Sequence, residues 1–75
     1  MSAEFVREAT HDWQRIAMLR CYDDADGTVV EAEVFPNGSS EAVPRGPYRF
    51  ANAHEAYRFV QETMLALQYL GCSVL

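Results

Sequence analysis

Two β-rich segments on either side of an aspartate- and glycine-rich turn constrain the fold more than any other feature of this chain. Residues 13–22 and 28–35 are rich in β-branched and aromatic side chains, which favour strands. The segment between them reads DDADG, and its Asp26-Gly27 pair is a strong signal for a tight turn. The sequence therefore predicts an antiparallel hairpin with strands at 13–22 and 28–35.

The alternation of side chains along these strands defines two faces. With a two-residue loop, position i pairs with position 53 − i, so that Cys21 faces Ala32, and a four-residue loop changes the partners but keeps the same faces. In either register, Arg20 opposes a glutamate. The face predicted to be core is uniformly apolar: Ala17, Leu19, Cys21, Val30, Ala32 and Val34. The other face mixes apolar and charged side chains: Ile16, Met18, Arg20, Tyr22, Val29, Glu31, Glu33 and Phe35.

A helix with a capping signal at each end is predicted over residues 53–70. Asn52 is a favourable N-cap, and Glu55 three residues later completes a capping box. Gly71 suits the left-handed position that ends a helix. The side chains expected to face the sheet form one arc of the helix: Ala56, Phe59, Val60, Thr63, Met64, Leu67 and Leu70. The opposite arc holds Arg58, Glu62, Leu65 and Tyr69.

The remaining segments complete a small α+β domain over residues 1–75. Residues 36–47 are rich in turn formers, with a short extended segment expected at 39–43, and residues 48–51 are expected to form a third strand. Residues 72–75 either add a fourth strand or trail off. Residues 1–11 are expected to be an arm that is either disordered or docked as a short helix. The predicted order is β-β-β-α, with a small antiparallel sheet of three or four strands packed on the C-terminal helix.

Size and charge narrow the range of functions. The chain has 75 residues, eleven acidic residues and six cations, all of them arginine, for a formal net charge of −5. This acidity disfavours nonspecific nucleic-acid binding, and the absence of lysine removes Schiff-base chemistry. A domain of this size buries only a thin core, so association with a second copy is the expected source of further stability.

Cysteine usage and hydropathy point to the cytoplasm. Cys21 lies in a strand and Cys72 lies just after the helix, and we interpret both as reduced thiols, with a single bridge between them as the alternative. The longest apolar run, residues 64–67, is far too short to span a bilayer. We therefore expect a cytoplasmic protein that does not contact membranes.

One short string carries a resemblance to an enzyme family. Residues 24–28 read DADGT and resemble the D-x-D-G-T string of the haloacid dehalogenase phosphatases, which implies Asp24 as nucleophile and Asp26 as general acid beside Mg²⁺. That chemistry also needs a lysine or equivalent cation and further acidic ligands, so we interpret the string as an acidic turn. Because His11 and His54 lack metal-site spacing and neither cysteine has a neighbouring base, we predict no catalytic residue, metal or cofactor.

Two sets of apolar side chains lack a partner in this arrangement. One set lies on the outer face of the hairpin: Ile16, Met18, Tyr22 and Phe35. The other set lies one turn apart on the outward arc of the helix: Leu65 and Tyr69. Together they predict a noncatalytic protein–protein interaction module that acts as a homodimer or with an unidentified protein partner.

The main alternative is a domain that binds single-stranded nucleic acid on the outer sheet face. Arginine contacts combined with aromatic stacking can hold a single strand, and the residues in question are Arg20, Tyr22, Arg45, Tyr48 and Arg49. The glutamates on the face of Arg20 weaken this alternative. A third alternative is a ligand pocket between subunits, with His54, Glu55 and Tyr57 at its rim, although their spacing indicates no particular reaction.

Overall fold

The computed structural model describes residues 4–36 and 39–75. Over these residues the chain is α+β, with a five-stranded antiparallel sheet packed against one C-terminal helix. The elements in chain order are β1 (Phe5–His11), β2 (Gln14–Asp24), β3 (Gly27–Val34), β4 (Val43–Phe50), α1 (Ala53–Tyr69) and β5 (Ser73–Val74). Their order across the sheet is β4-β3-β2-β1-β5.

Strand β1 replaces a segment that was not predicted to be a strand, and strand β4 is longer than predicted. The expected N-terminal arm or helix is instead strand β1 over Phe5–His11, which pairs along its whole length with β2. Strand β4 begins at Val43, five residues before the predicted third strand. The short final strand proposed for the tail is present as β5, which pairs with β1 through Ala9 and Thr10. The sheet is therefore wider than the predicted three or four strands.

The β2–β3 hairpin has the predicted faces and, of the two registers that the sequence left open, the one in which Arg20 opposes Glu31. Cys21 pairs with Val30, not with Ala32 as the two-residue loop at Asp26-Gly27 required. The turn lies at residues 25–26, where the backbone N–H of Asp26 donates to the Asp24 carboxylate over 2.9 Å. A shift of two positions preserves the alternation, so Arg20 still opposes a glutamate, Glu31.

The β1–β2 connection is a turn that sequence patterning did not identify. Asp12 and Trp13 both have positive φ angles, 50° and 69°, and they lie between the paired residues His11 and Gln14. Two consecutive positive φ angles are the backbone signature of a type I′ hairpin turn. Trp13, which we predicted to begin a strand, therefore lies at the tip of a hairpin.

Helix α1 covers the inner face of the sheet, the face that carries the predicted core residues of β2. Its buried side chains are Ala56, Val60 and Met64, which belong to the predicted arc. They pack in one cluster with buried sheet residues: Ala17, Leu19, Cys21 and Val30. Leu70, which was also placed on that arc, follows the last helical residue and is 78% exposed.

Both helix ends carry a predicted cap, although the Glu55 carboxylate makes no return bond to the Asn52 N–H, so the predicted capping box is only half formed. The Asn52 side chain accepts a hydrogen bond of 2.9 Å from the Glu55 backbone N–H. At the other end Gly71 has a φ of 98°, and its N–H donates to the Gln68 carbonyl. No helix among the described residues is both long and apolar enough to cross a membrane.

Strand β4, at one edge of the sheet, is interrupted by Pro44 and Pro47, and the Gly46-Pro47 peptide bond is cis. Its register with β3 shifts between Val30 and Ala32. Because proline offers no N–H, this edge is poorly suited to pair with a further strand.

Gly27 is predicted to be much less replaceable than Gly71. An added Cβ at Gly27 would lie 2.5 Å from the Phe50 carbonyl oxygen, whereas at Gly71 the nearest atom is 3.9 Å away. Both have positive φ angles, so Gly71→Ala should lower the free energy of unfolding by about 1 kcal/mol and Gly27→Ala by about 3 kcal/mol or more. Urea denaturation measures both values, and equal losses would contradict the assigned contact.

Replacing the helix cap tests the N-terminus of α1. Asn52→Ala removes the acceptor for the Glu55 N–H and should lower the free energy of unfolding by about 1 kcal/mol. Asn52→Asp retains an acceptor oxygen and is the matched control, which should lose far less. An alanine variant as stable as the parent in thermal denaturation would show that this cap contributes nothing.

Candidate functional site

The outer face of the sheet is the face turned away from α1, and its charges are balanced and largely paired. Its charged strand residues are four acids and three bases: Glu8, Asp24, Glu31, Glu33, Arg15, Arg20 and Arg49. Arg15 pairs with Glu8 over 3.3 Å, and Arg49 pairs with Asp24 over 2.7 Å. The face therefore has no excess of positive charge to attract phosphates.

The apolar residues predicted on this face are only in part available for contact. Phe35 is 8% exposed, and the Arg15 guanidinium lies 5.4 Å from its ring centroid. Ile16 falls at the register shift between β1 and β2 and lines a cleft on the other side of the sheet. Met18 and Tyr22 are half-buried on the outer face, and Tyr22 Oη donates to Glu31 over 3.0 Å. The most exposed apolar side chain on this face is one that the sequence did not single out, Val6.

The residues of the alternative nucleic-acid face are divided between the two sides of the sheet. Arg20, Tyr22 and Arg49 lie on the outer face. Tyr48 pairs with Val30 on the inner face, where its ring centroid is 5.2 Å from that of Phe59 on the helix. Arg45 pairs with Ala32, also on the inner side. Tyr48 and Arg49 are neighbours in β4, so alternation alone places them on opposite faces. The register shift places Arg45 on the inner side together with Tyr48.

A groove of about 280 Å³ crosses the outer face beside β4. Val6 and Met18 form its apolar part, while Arg20, Glu31 and Glu33 line it with charges of both signs. The β4 segment 44–47 forms the far wall. Because charges of both signs line the groove, it does not select for either an anionic or a cationic ligand.

The end of α1 and the residue after it carry the largest group of neighbouring exposed apolar side chains in the described part of the chain. We call this group the helix patch: Leu65, Ala66, Tyr69 and Leu70. Leu65 is 60% exposed, Tyr69 94% and Leu70 78%. The four residues form two pairs spaced i, i+4, so they lie side by side on the surface. The sequence predicted Leu65 and Tyr69 here, but Leu70 was assigned to the buried arc and Ala66 was not considered.

Next to the helix patch lies a concave apolar surface between α1 and strands β2 to β4, which we call the sheet–helix cleft. It encloses about 250 Å³, and its lining is almost wholly apolar. The lining residues are Ile16, Ala17, Leu19, Ala32, Val34, Arg45, Tyr48, Phe59, Thr63 and Leu67. The Thr63 hydroxyl donates to the Phe59 carbonyl over 2.8 Å, so this polar group already has a partner. Arg45 is the one charged residue of the lining.

The β1–β2 hairpin tip lies at the same end of the molecule as the helix patch. His11 Nδ1 is 3.2 Å from the Gly71 carbonyl oxygen, and Leu70 directly precedes Gly71. Trp13, two residues after His11, is fully exposed. The most exposed aromatic side chains among the described residues, Trp13 and Tyr69, therefore project from one end of the domain.

Among the described residues, three titratable side chains have clearly shifted pKa values: Cys21, Tyr22 and Asp24. Burial raises the pKa of the Cys21 thiol, and the negative charge of Asp23 raises it further, so this cysteine is a poor nucleophile. The hydrogen bond to Glu31 raises the pKa of Tyr22. Within residues 4–36 and 39–75, no three His, Cys, Asp or Glu side chains are grouped so as to hold a metal ion. His54 and Glu55 lie exposed in the first turn of α1.

The acidic turn should make a pH-dependent contribution to stability. The backbone N–H of Asp26 and then the Arg49 guanidinium lower the pKa of Asp24 in the folded protein. The contribution is therefore fully present above the unfolded-state pKa of about 3.9 and is lost as the pH falls through the lower folded-state value. Asp24→Asn should flatten this part of a plot of melting temperature against pH. A plot with an unchanged slope below pH 4 would contradict the assignment.

Comparisons with known proteins found no similar protein. No protein-family model matches the sequence, and searches of the curated proteins and of the solved structures each found no match. The function of these surfaces is therefore inferred from their own shape and chemistry.

Proposed function

We propose that this chain is a noncatalytic protein–protein interaction module that acts as a homodimer through the helix patch. The observation that carries the proposal is the exposure of Leu65, Tyr69 and Leu70 on adjacent turns of one small domain. Isolated exposed apolar residues are ordinary, but a contiguous set on a domain of 75 residues favours burial by a partner.

The helix patch is a better contact surface than the outer face of the sheet. On the outer face Phe35 is already covered by Arg15, and Tyr22 is engaged with Glu31. Burying the ion pairs of that face would remove their charges from water at a cost that close pairing offsets only in part. The helix patch carries no charged side chain, so its burial requires no such desolvation.

A second copy of the chain is the simplest partner for this surface. Two-fold dimers bury the same patch on both copies, so one exposed apolar set is sufficient. Edge-to-edge pairing of sheets is a less suitable route, because Pro44 and Pro47 interrupt the outer edge of β4. At the opposite edge, β5 occupies the part of β1 around Ala9 and Thr10.

The proposal places the protein in the cytoplasm. Cys21 and Cys72 are both free thiols, as expected in a reducing compartment. Binding of single-stranded nucleic acid on the outer face remains the competing function, and the pairing of Arg15 and Arg49 with acids argues against it.

Matched double substitutions on the two surfaces test the proposed function. We expect Leu65→Ser with Tyr69→Ser to weaken the dimer at least about thirtyfold, since central interface residues contribute about 2 kcal/mol or more. Val6→Ser with Met18→Ser removes a comparable apolar pair from the outer face and should leave the dimer intact. Size-exclusion chromatography with light scattering measures the mass of each variant, and circular dichroism shows whether it is folded.

Three results would overturn the proposal. A parent protein that is monomeric would exclude the homodimer, and a dimer that survives the helix-patch substitutions would exclude the assigned surface. Salt-sensitive binding of the parent protein to a fluorescent single-stranded oligonucleotide, lost in Arg20→Ala, would favour the competing function instead.

A further inference from the structure

We infer that the sheet–helix cleft of one copy receives the helix patch of a second copy, so that the dimer contains two equivalent contacts related by a two-fold axis. This inference rests on the proposed function and specifies what the helix patch binds. The cleft is unfilled in a single domain, and the inference gives it a role as the surface that receives the partner.

The cleft and the helix patch form one continuous apolar surface. Phe59 and Thr63 line the cleft from the helix side. Ala66 and Leu70 continue the same helical stripe, because they follow Thr63 at intervals of three and seven residues. An apolar stripe of this kind is usually buried when a helix packs against a sheet or another helix. On α1 the stripe is only partly buried at Phe59. A partner that fills the cleft would therefore also cover the patch beside it.

The two parts of this surface have complementary shapes. Tyr69 is 94% exposed and projects from the end of α1, whereas the cleft is concave and encloses about 250 Å³. A cavity of about 150 Å³ lined by apolar side chains binds benzene, so the cleft has room for an aromatic ring. A two-fold dimer buries the same surface on both copies, so a surface with both a projection and a recess can place each against its counterpart on the second copy.

The charged side chains that border the cleft and the helix patch have opposite signs. Arg45 lines the cleft, and no carboxylate lies within 4.0 Å of its guanidinium in the described part of the chain. Glu62 lies one turn before Ala66, at the border of the helix patch. Its side chain is 65% exposed and is paired over 3.2 Å with Arg58 of the same helix, an exposed pair that a new partner can replace at little cost. When the patch of one copy enters the cleft of the other, Arg45 of one copy approaches Glu62 of the second. Opposite charges at these positions favour a second copy over an unrelated apolar ligand.

Complementation between two variants tests this geometry. Tyr69→Ser removes the projecting side chain and keeps the cleft, whereas Thr63→Phe fills the cleft and keeps the projection. We expect each variant alone to be monomeric at concentrations where the parent is a dimer. Their equimolar mixture should form heterodimers, because one intact contact remains in each. Tyr57 lies on the other side of α1, where it is 49% exposed and its ring contacts Phe5. Tyr57→Ser is therefore a control that removes packing within the domain without touching the cleft or the helix patch, and it should remain dimeric.

Charge reversal gives a second test with exposed residues that do not belong to the core. Arg45→Glu alone and Glu62→Arg alone should each weaken the dimer at least about fivefold, and the double variant should recover to within about twofold of the parent. Sedimentation velocity measures the dissociation constants. This test decides the inference if Thr63→Phe fails to fold.

The outcomes separate the inference from the proposed function. If Tyr69→Ser is monomeric while Thr63→Phe remains a stable dimer, the helix patch is the interface and the cleft assignment is wrong. A mixture that stays monomeric together with a double charge variant that is not restored would also overturn it. If the parent protein is monomeric at all concentrations, both the inference and the proposed function fall.

Discussion

A single helix has to cover the inner face of a five-stranded sheet, and this constraint determines both the core and the surfaces of the molecule. An α-helix with its side chains is about 10 Å wide, whereas five strands spaced about 4.8 Å apart span about 19 Å. Helix α1 buries Ala56, Val60 and Met64 against the middle strands. The corner formed by Ile16 and Val34 is left beside the helix as an open apolar cleft. The cleft follows from this mismatch in width, whereas Leu65 and Tyr69 are exposed because they lie on the arc of α1 that is turned away from the sheet.

The parts of the fold that depend on local signals could be predicted from the sequence. The alternation of apolar residues in β2 and β3 identified the core face without fixing the register, because the two registers left open differ by two positions and keep the same parity. The cap at Asn52 and the left-handed Gly71 were also identified, since each depends on one residue type at one backbone position.

The parts that depend on long-range pairing could not be predicted in this way. Strand β1 contains Arg7 and Glu8 among its apolar residues, and nothing in that pattern indicates that β2 is its partner. The register shift in β4 places Arg45 on the inner side, which no local alternation reveals. Leu70 followed the helical periodicity of its neighbours, but α1 ends at Tyr69, so its side chain is exposed instead of buried. The exposed surfaces therefore became visible only once the sheet was assembled.

The proposed dimer requires that the helix patch and the sheet–helix cleft are buried in solution. Paired charges on the outer face and the prolines of β4 leave the helix patch and the cleft as the surfaces best suited to burial. The most direct measurement is sedimentation equilibrium of the unsubstituted protein across the micromolar range. A mass twice that of the 8.5 kDa chain, with dissociation only on dilution, is the expected result. A mass of one chain at every concentration would contradict the account.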